Sequence, residues 1–257
     1  MKGPRLGQGT WNMGDSAARR AEELAALREG IALGLTLIDT AEMYGDGRAE
    51  SLVGEAIAGR RDELFLVTKV LPSNASRKGV ARSCEASLGR LKTDRVDLYL
   101  LHWMGPHPLQ ETLRGFEDLL AAGKIRSWGV SNLDPAQMQK LVRLPGGKAC
   151  VANQVLYNLS RRGIEYDLLP WCAKKKICVM AYSPVEQGRI LGNQALRQVA
   201  LAWTLRKPNV VCIPKAATVA HVRENRKALD LELDGAALAA LDQAFPAPQG
   251  AQPLEMI

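Results

Sequence analysis

The chain lacks most of the features that place a sequence in a special setting. It has only three histidines, His102, His107 and His221, and none of its five cysteines forms a Cys-x-x-Cys pair. A structural metal site needs clustered thiol or imidazole ligands, so no metal centre is expected. Most of the cysteines (Cys84, Cys150, Cys172, Cys178, Cys212) sit among apolar neighbours, as in Ile177-Cys178-Val179-Met180. Such thiols are expected to be buried, reduced and unpaired. No apolar run approaches the ~18 residues of a membrane span. Met1 to Gly9 carries no apolar signal-peptide core, so a cytoplasmic protein is expected. Gly-x-Gly-x-x-Gly is missing too: Gly7-Gln8-Gly9 is followed by Thr-Trp-Asn-Met-Gly, which breaks the spacing. That counts against a doubly wound dinucleotide-binding sheet, the structural alternative.

A length of 257 residues suits one (β/α)8 barrel of ~250 residues, here spanning 1–257 as a single domain and a monomer. A chain of this size buries enough surface to fold without disulfides or metals. The net charge is +7, which raises nucleic acid as a partner. The basic residues are interleaved with acidic ones, however. The densest run, Lys174-Lys175-Lys176, closes a helix-like segment, where cations suit the macrodipole. A solvated helix end outweighs a nucleic-acid patch, and neither nucleic acid nor membrane is expected as a partner. The positive field would still attract an anionic, phosphorylated cofactor.

Short apolar runs alternate with helical patterns. The runs are Leu6–Trp11, Leu35–Ile38, Leu64–Val67, Val96–Leu101, Ile125–Val130, Cys150–Ala152, Ile177–Met180 and Val210–Ile213. They have the length and composition of strands buried on both faces. Between them, Val80, Cys84, Leu88 and Leu91 recur at helical spacing, as do Leu109, Leu113, Phe116 and Leu120. Asp134-Pro135 is a helix start. Eight βα units argue for a parallel eight-stranded barrel with outer helices.

Polar residues fall where the apolar runs end, and in such barrels chemistry sits at the C-terminal ends of the strands. Asp39, Lys69, His102, Ser131-Asn132, Gln154, Tyr182-Ser183 and Lys215 all stand at or just beyond a run. One such residue alone would be a rim residue with a structural hydrogen bond. Convergence of seven on one face points to a site.

With Gly9-Thr10-Trp11, Ile38-Asp39-Thr40-Ala41-Glu42-Met43-Tyr44-Gly45, Val67-Thr68-Lys69, Leu100-Leu101-His102-Trp103, Gly129-Val130-Ser131-Asn132, Asn153-Gln154, Ala181-Tyr182-Ser183-Pro184 and Ile213-Pro214-Lys215-Ala216 in this order, the sequence resembles the aldo-keto reductases over essentially its whole length. Each motif is weak alone; order and spacing together are specific. The resemblance implies NADP(H)-dependent reduction of small aldehydes or ketones, such as methylglyoxal or aromatic aldehydes.

The resemblance assigns catalysis to Tyr44, Lys69, Asp39 and His102. Carbonyl reduction needs a proton at the oxygen, and an unperturbed tyrosine, with pKa ~10, exchanges protons slowly at neutral pH. Lys69 is expected to lower the Tyr44 pKa, Asp39 to hold Lys69, and His102 to orient the carbonyl. Hydride must come from a cofactor. By resemblance, Ser131, Asn132 and Gln154 hold the nicotinamide amide, and Tyr182 stacks on the ring with Ser183 beside it. Lys215, Thr218 and His221 meet the 2′-phosphate, and Glu224 and Asn225 lie near the adenine. Trp11 and Trp103 match pocket walls.

Several features depart from the family. His221 stands where many members carry arginine, and Ala216 where many carry serine; an ordinary histidine offers a phosphate less charge at pH 7. Only Met1 to Pro4 precedes the first run, too little for the usual barrel-floor hairpin. The stretch from Tyr182 to Val210 is expected to be shortened, which makes an NADP(H)-binding module with little turnover the alternative function. The tail beyond Phe245 is short, which implies an open site.

Overall fold

The computed structural model describes residues 4–186 and 194–257. Eight strands form one parallel sheet in chain order: β1 (Gln8–Gly9), β2 (Leu37–Asp39), β3 (Phe65–Val70), β4 (Leu98–Leu101), β5 (Trp128–Ser131), β6 (Ala152–Leu156), β7 (Cys178–Tyr182) and β8 (Val210–Cys212). The sheet curls until its ends meet. Leu6 lies opposite Cys212 and Gly9 opposite Lys215, in parallel bridges. The Gly7 and Gly9 amides donate to the carbonyls of Cys212 (2.8 Å) and Pro214 (3.0 Å). Gly9 is required at this seam: a Cβ there would lie 2.6 Å from the Ile213 carbonyl oxygen.

Helices follow the strands: α1 (Arg20–Ala32), α2 (Arg48–Ala56), α3 (Arg77–Leu91), α4 (Leu109–Ala121), α5 (Pro135–Arg143), α6 (Leu168–Lys174), α7 (Gln194–Leu205), α8 (Val219–Lys227) and α9 (Gly235–Ala244). Helix α1 packs on both α2 and α8, so the outer ring closes where the sheet does. Local chemistry explains the helix starts. Asp134 and Gln137 form a reciprocal capping box, with Pro135 in the first turn of α5. The Ser76 hydroxyl caps α3 by accepting from the Gly79 amide at 3.1 Å. In α4, Leu109, Leu113 and Phe116 are buried as their spacing predicts, but Leu119 joins them and Leu120 is only partly buried.

The apolar interior has two layers. Leu37, Val67, Leu98, Leu100, Ala152, Met180, Val211 and Ile213 fill the barrel. Their strand neighbours Ile38, Leu66, Tyr99, Leu101, Val179 and Cys212 pack outward against the helices. This is the period of two that strands impose. Each fully buried Leu or Val in these layers contributes about 1.5–3 kcal/mol.

Strand limits differ from those expected, mostly by running further toward the C-terminal face. Strand β6 covers Ala152–Leu156 instead of Cys150–Ala152. Its Asn153 and Gln154 are polar yet buried, so the apolar run stops before the strand does. Strand β1 shrinks to Gln8–Gly9. All five cysteines are free and buried, and burial raises their thiol pKa values, to about 12 for Cys84 and Cys150. Among the described residues, no helix is long and apolar enough to cross a membrane, and no cluster of three potential metal ligands occurs. The expectations about the N-terminal stretch and about Tyr182 to Val210 fall in part on residues 1–3 and 187–193, which lie outside the described residues.

Candidate active site

The side chains singled out at the strand ends share one parity. Asp39, Lys69, His102, Ser131, Gln154, Tyr182 and Lys215 each stand two residues beyond an inward position: Leu37, Val67, Leu100, Gly129, Ala152, Met180 and Ile213. All therefore point along the barrel axis, above the apolar layer. All but the fully buried Lys69 line a cavity of about 620 Å³ on the C-terminal face.

Lys69, wholly buried, anchors one end. Its ammonium donates to Asp39 Oδ1 (2.7 Å), to the Thr40 carbonyl (2.9 Å) and to the Tyr44 hydroxyl (3.2 Å). An ammonium has three N–H donors, and all three are spent. Lys69 can therefore act on a substrate only through Tyr44. Asp39 Oδ2 accepts from Gln154 Nε2 at 2.8 Å, which leaves no idle oxygen on this buried carboxylate. The result is a hydrogen-bonded chain Gln154–Asp39–Lys69–Tyr44 with the tyrosine facing the cavity. The Lys69 ammonium also lies 4.8 Å from the Tyr44 ring centre.

The Tyr44 pKa departs from expectation. Lys69 does pull it down, but burial is the larger effect and Asp39 opposes Lys69, so the net direction is upward. Lys69 itself is raised, because Asp39 and Tyr44 together outweigh its burial. A neutral phenol beside a fixed cation is the result at neutral pH. The His102 ring stands edge-on to Tyr44, 5.8 Å between centres. Burial, followed by the Lys69 charge, lowers the His102 pKa to about 2. The imidazole is thus neutral, and its Nδ1 is buried without a partner.

Beside this group runs a second network. Ser131 Oγ donates to the Gln154 carbonyl at 2.9 Å. Asn132, at φ 59°, donates from Nδ2 to the His102 carbonyl (3.2 Å) and to Ser131 Oγ (3.1 Å). The Tyr182 hydroxyl donates to Asn132 Oδ1 at 3.0 Å. Tyr182 ends β7 and is half-buried, and Ser183 beside it has φ 48°. At the far end the cavity meets the start of α8, with Lys215, Thr218, His221 and Asn225 on its wall. Thr218 caps that helix, accepting from the His221 amide. A helix N-terminus favours anions. Trp11 and Trp103 line the mouth, and the Trp103 and His102 rings are 4.7 Å apart.

The cavity therefore has the Tyr44 hydroxyl at one end and Lys215 at the other, with the Ser131 hydroxyl and the Asn132 and Gln154 amides between. A nicotinamide dinucleotide fits that donor set: a phosphate for Lys215 and α8, an amide for the Ser131–Asn132–Gln154 group. A family model described as "Aldo/keto reductase family" matches residues 5–196. The chain belongs to the aldo/keto reductase family. It is 54% identical over 270 residues to methylglyoxal reductase YeaE of Escherichia coli (strain K12), covering 99% of this chain and 95% of that protein. Since 270 exceeds the 257 residues here, that reductase has positions without a counterpart in this chain. An aldo/keto reductase of Klebsiella pneumoniae, solved in complex with NADP and acetate, superposes with a TM-score of 0.96 at 52% identity, over 99% of this chain and 96% of that one. A Klebsiella pneumoniae aldo-keto reductase in complex with NADPH matches with the same TM-score and identity, over 99% and 95%.

Within this aldo/keto reductase, Glu224 does not line the cavity with Asn225. It stands behind the wall and pairs with Arg197 of α7 at 3.2 Å. Several lining residues were not foreseen: Arg197, Asn12, Met43, Pro184, Val185, Met256 and Ile257. The last two belong to the C-terminal tail. Short as it is, the tail returns to the cavity, tied by Arg161 to Glu255 (2.7 Å) and by Arg162 to the Phe245 carbonyl. No periodicity marks such a tail.

Proposed function

We propose that this protein reduces small aldehydes and ketones to alcohols with NADPH, Tyr44 supplying the proton. The observation that carries this reading is the hydrogen-bonded chain from Gln154 through Asp39 and Lys69 to a Tyr44 hydroxyl facing the cavity. The reduced nicotinamide, when bound, supplies hydride to the carbonyl carbon. The carbonyl oxygen then needs one proton, and the Tyr44 O–H bond breaks as the new O–H bond forms. Lys69 steadies the charge left on the phenolic oxygen. Neutral His102 holds the carbonyl oxygen toward Tyr44 without competing as an acid. Ser131, Asn132 and Gln154 orient the nicotinamide amide, Tyr182 and Ser183 border the ring, and Lys215, Thr218 and His221 hold the adenosine phosphate, with Asn225 near the adenine.

Trp11, Trp103, Met43, Met256 and Ile257 make an apolar mouth, which suits methylglyoxal and aromatic aldehydes. The reaction calls for no second subunit, nucleic acid or membrane, in keeping with a monomer, and the cytoplasm supplies NADPH. The test follows NADPH absorbance with methylglyoxal and 4-nitrobenzaldehyde for the wild type and Tyr44→Phe. Turnover that falls about 10²–10⁴-fold in Tyr44→Phe, with NADPH still bound, supports the proposal. Wild-type NADPH binding without turnover of either substrate would favour a cofactor-binding module instead.

A further inference from the structure

At the α7–α8 side of the cavity stands a cation that the family pattern did not supply. Arg197 lines the same wall as Lys215, Thr218, His221 and Asn225. Its side chain is only 14% exposed, and among the described residues its ion pair is a single contact with Glu224 at 3.2 Å. The Arg197 Nε is buried without a partner. Arg95 too has a buried Nε without a partner, but its guanidinium pairs with both Asp62 and Asp94, and the more deeply buried Arg162 spends its donors fully. Arg162 engages Glu165 through both Nε (2.9 Å) and Nη2 (2.6 Å) and gives Nη1 to Asp242 (2.7 Å). A pair kept only for stability would be expected to look like that one, because an unpaired buried donor is costly.

Nor does the helix call for this residue. Arg197 lies toward the N-terminal end of α7, where the dipole is already positive and cations are disfavoured. An anion brought into the cavity would meet that dipole end, the start of α8, Lys215 and the half-used guanidinium together. A phosphomonoester carries about −1.5 to −2 charges at neutral pH, more than one lysine neutralises. A guanidinium fork matches phosphate oxygens in pairs.

We propose that Arg197, reaching across from α7, supplies the second full positive charge for the cofactor's 2′-phosphate beside Lys215, the part that arginine plays at the position of His221 in many relatives. Glu224 holds the guanidinium in place and balances its charge while no phosphate is bound. This assignment rests on the cofactor reading above and names the residue that makes the site prefer NADPH to NADH.

The experiment is a binding titration, read by quenching of tryptophan fluorescence and by calorimetry, with NADPH, NADH and adenosine 2′,5′-bisphosphate. The proteins are the wild type, Arg197→Ala, Arg197→Lys and His221→Ala. In Arg197→Ala, the Kd for NADPH and for the bisphosphate should rise roughly 10- to 100-fold, the worth of one charged hydrogen bond, while that for NADH stays within about twofold. Arg197→Lys should fall between, and His221→Ala should change much less than Arg197→Ala. Equal weakening toward NADPH and NADH would mean a merely structural role, and unchanged NADPH binding would mean none; either overturns the assignment. If Arg197→Ala does not fold, Arg197→Lys and Arg197→Gln carry the same comparison. A wild type that binds neither dinucleotide would overturn the cofactor reading itself, a result distinct from a wild type that binds NADPH with no dependence on Arg197.

Discussion

Gln154 and Asp39, 115 residues apart in sequence, meet across the barrel through a 2.8 Å hydrogen bond from Nε2 to Oδ2. The bond joins β6 to β2 and ties the amide-binding group to the Lys69–Tyr44 pair. One of the two Nε2 hydrogens of Gln154 is thereby committed to the protein, which fixes the direction in which its amide faces the cavity. Replacement of Gln154 by leucine should leave a buried carboxylate oxygen without a partner, at a cost of about 1–3 kcal/mol in urea unfolding. The kcat for methylglyoxal should fall with it. Unchanged stability would mean that Asp39 finds another donor.

Lys69 and Asp39 form a buried ion pair. Lys69→Met should be destabilising by about 3–5 kcal/mol, because the Asp39 charge stays behind uncompensated. The double variant Asp39→Asn with Lys69→Met should be milder than the single one. Thermal melts of the wild type, Lys69→Met, Asp39→Asn and the double variant decide this; additive losses would argue against the coupling.

His102 makes stability depend on pH. Its folded pKa, about 2, lies far below the ordinary 6.5, so the unfolded chain takes up a proton that the folded chain refuses. The contribution is complete above the unfolded value and is lost as pH falls from 6.5 toward 2. Between pH 7.5 and 5.5 the loss from this one site should be about 1.4 kcal/mol. His102→Gln should flatten the profile in urea melts over that range. An equal slope in both proteins would count against a depressed pKa at His102.

The tail predicts a split between stability and substrate handling. The Arg161–Glu255 pair is partly solvent-exposed, so Glu255→Gln, which leaves the Arg161–Glu186 pair in place, should change the melting temperature little. It should free Met256 and Ile257 from the cavity mouth and raise KM for 4-nitrobenzaldehyde several-fold, with kcat nearly kept. An unchanged KM would mean that the tail does not touch the substrate.

Much of this was legible in the sequence because strand parity and strand ends are local properties. Asp39, Lys69 and His102 could be placed on one face from apolar runs alone, since each follows a run and the strand ends of a parallel barrel gather at one rim. Gln154 was harder, as polar residues inside β6 broke the apolar signal while the ladder continued. The direction of the Tyr44 pKa was misjudged because pairwise charge can be read from a motif, whereas burial depends on the closed barrel. Arg197 escaped notice because nothing local separates it from any surface arginine on a helix. Only the packing of α7 against α8 turns it toward the cavity. Met256 and Ile257 reach the site through the Arg161–Glu255 ion pair and the bond from Arg162 to the Phe245 carbonyl, whose partners lie far apart in the chain.

The two-residue alternation that lifts Asp39 above Leu37, and Lys69 above Val67, acts as a reading frame for the site. Insertion of one residue inside a strand would turn the working side chain out among the helices and bring an apolar neighbour in. Insertion of two would restore its direction but raise it by about 6–7 Å, beyond reach of its partners. The strands must therefore keep their length between floor and rim, and changes in chain length are confined to the connections around the mouth. New carbonyl specificities in this barrel should arise from the loops and the tail, with the catalytic rim left unaltered.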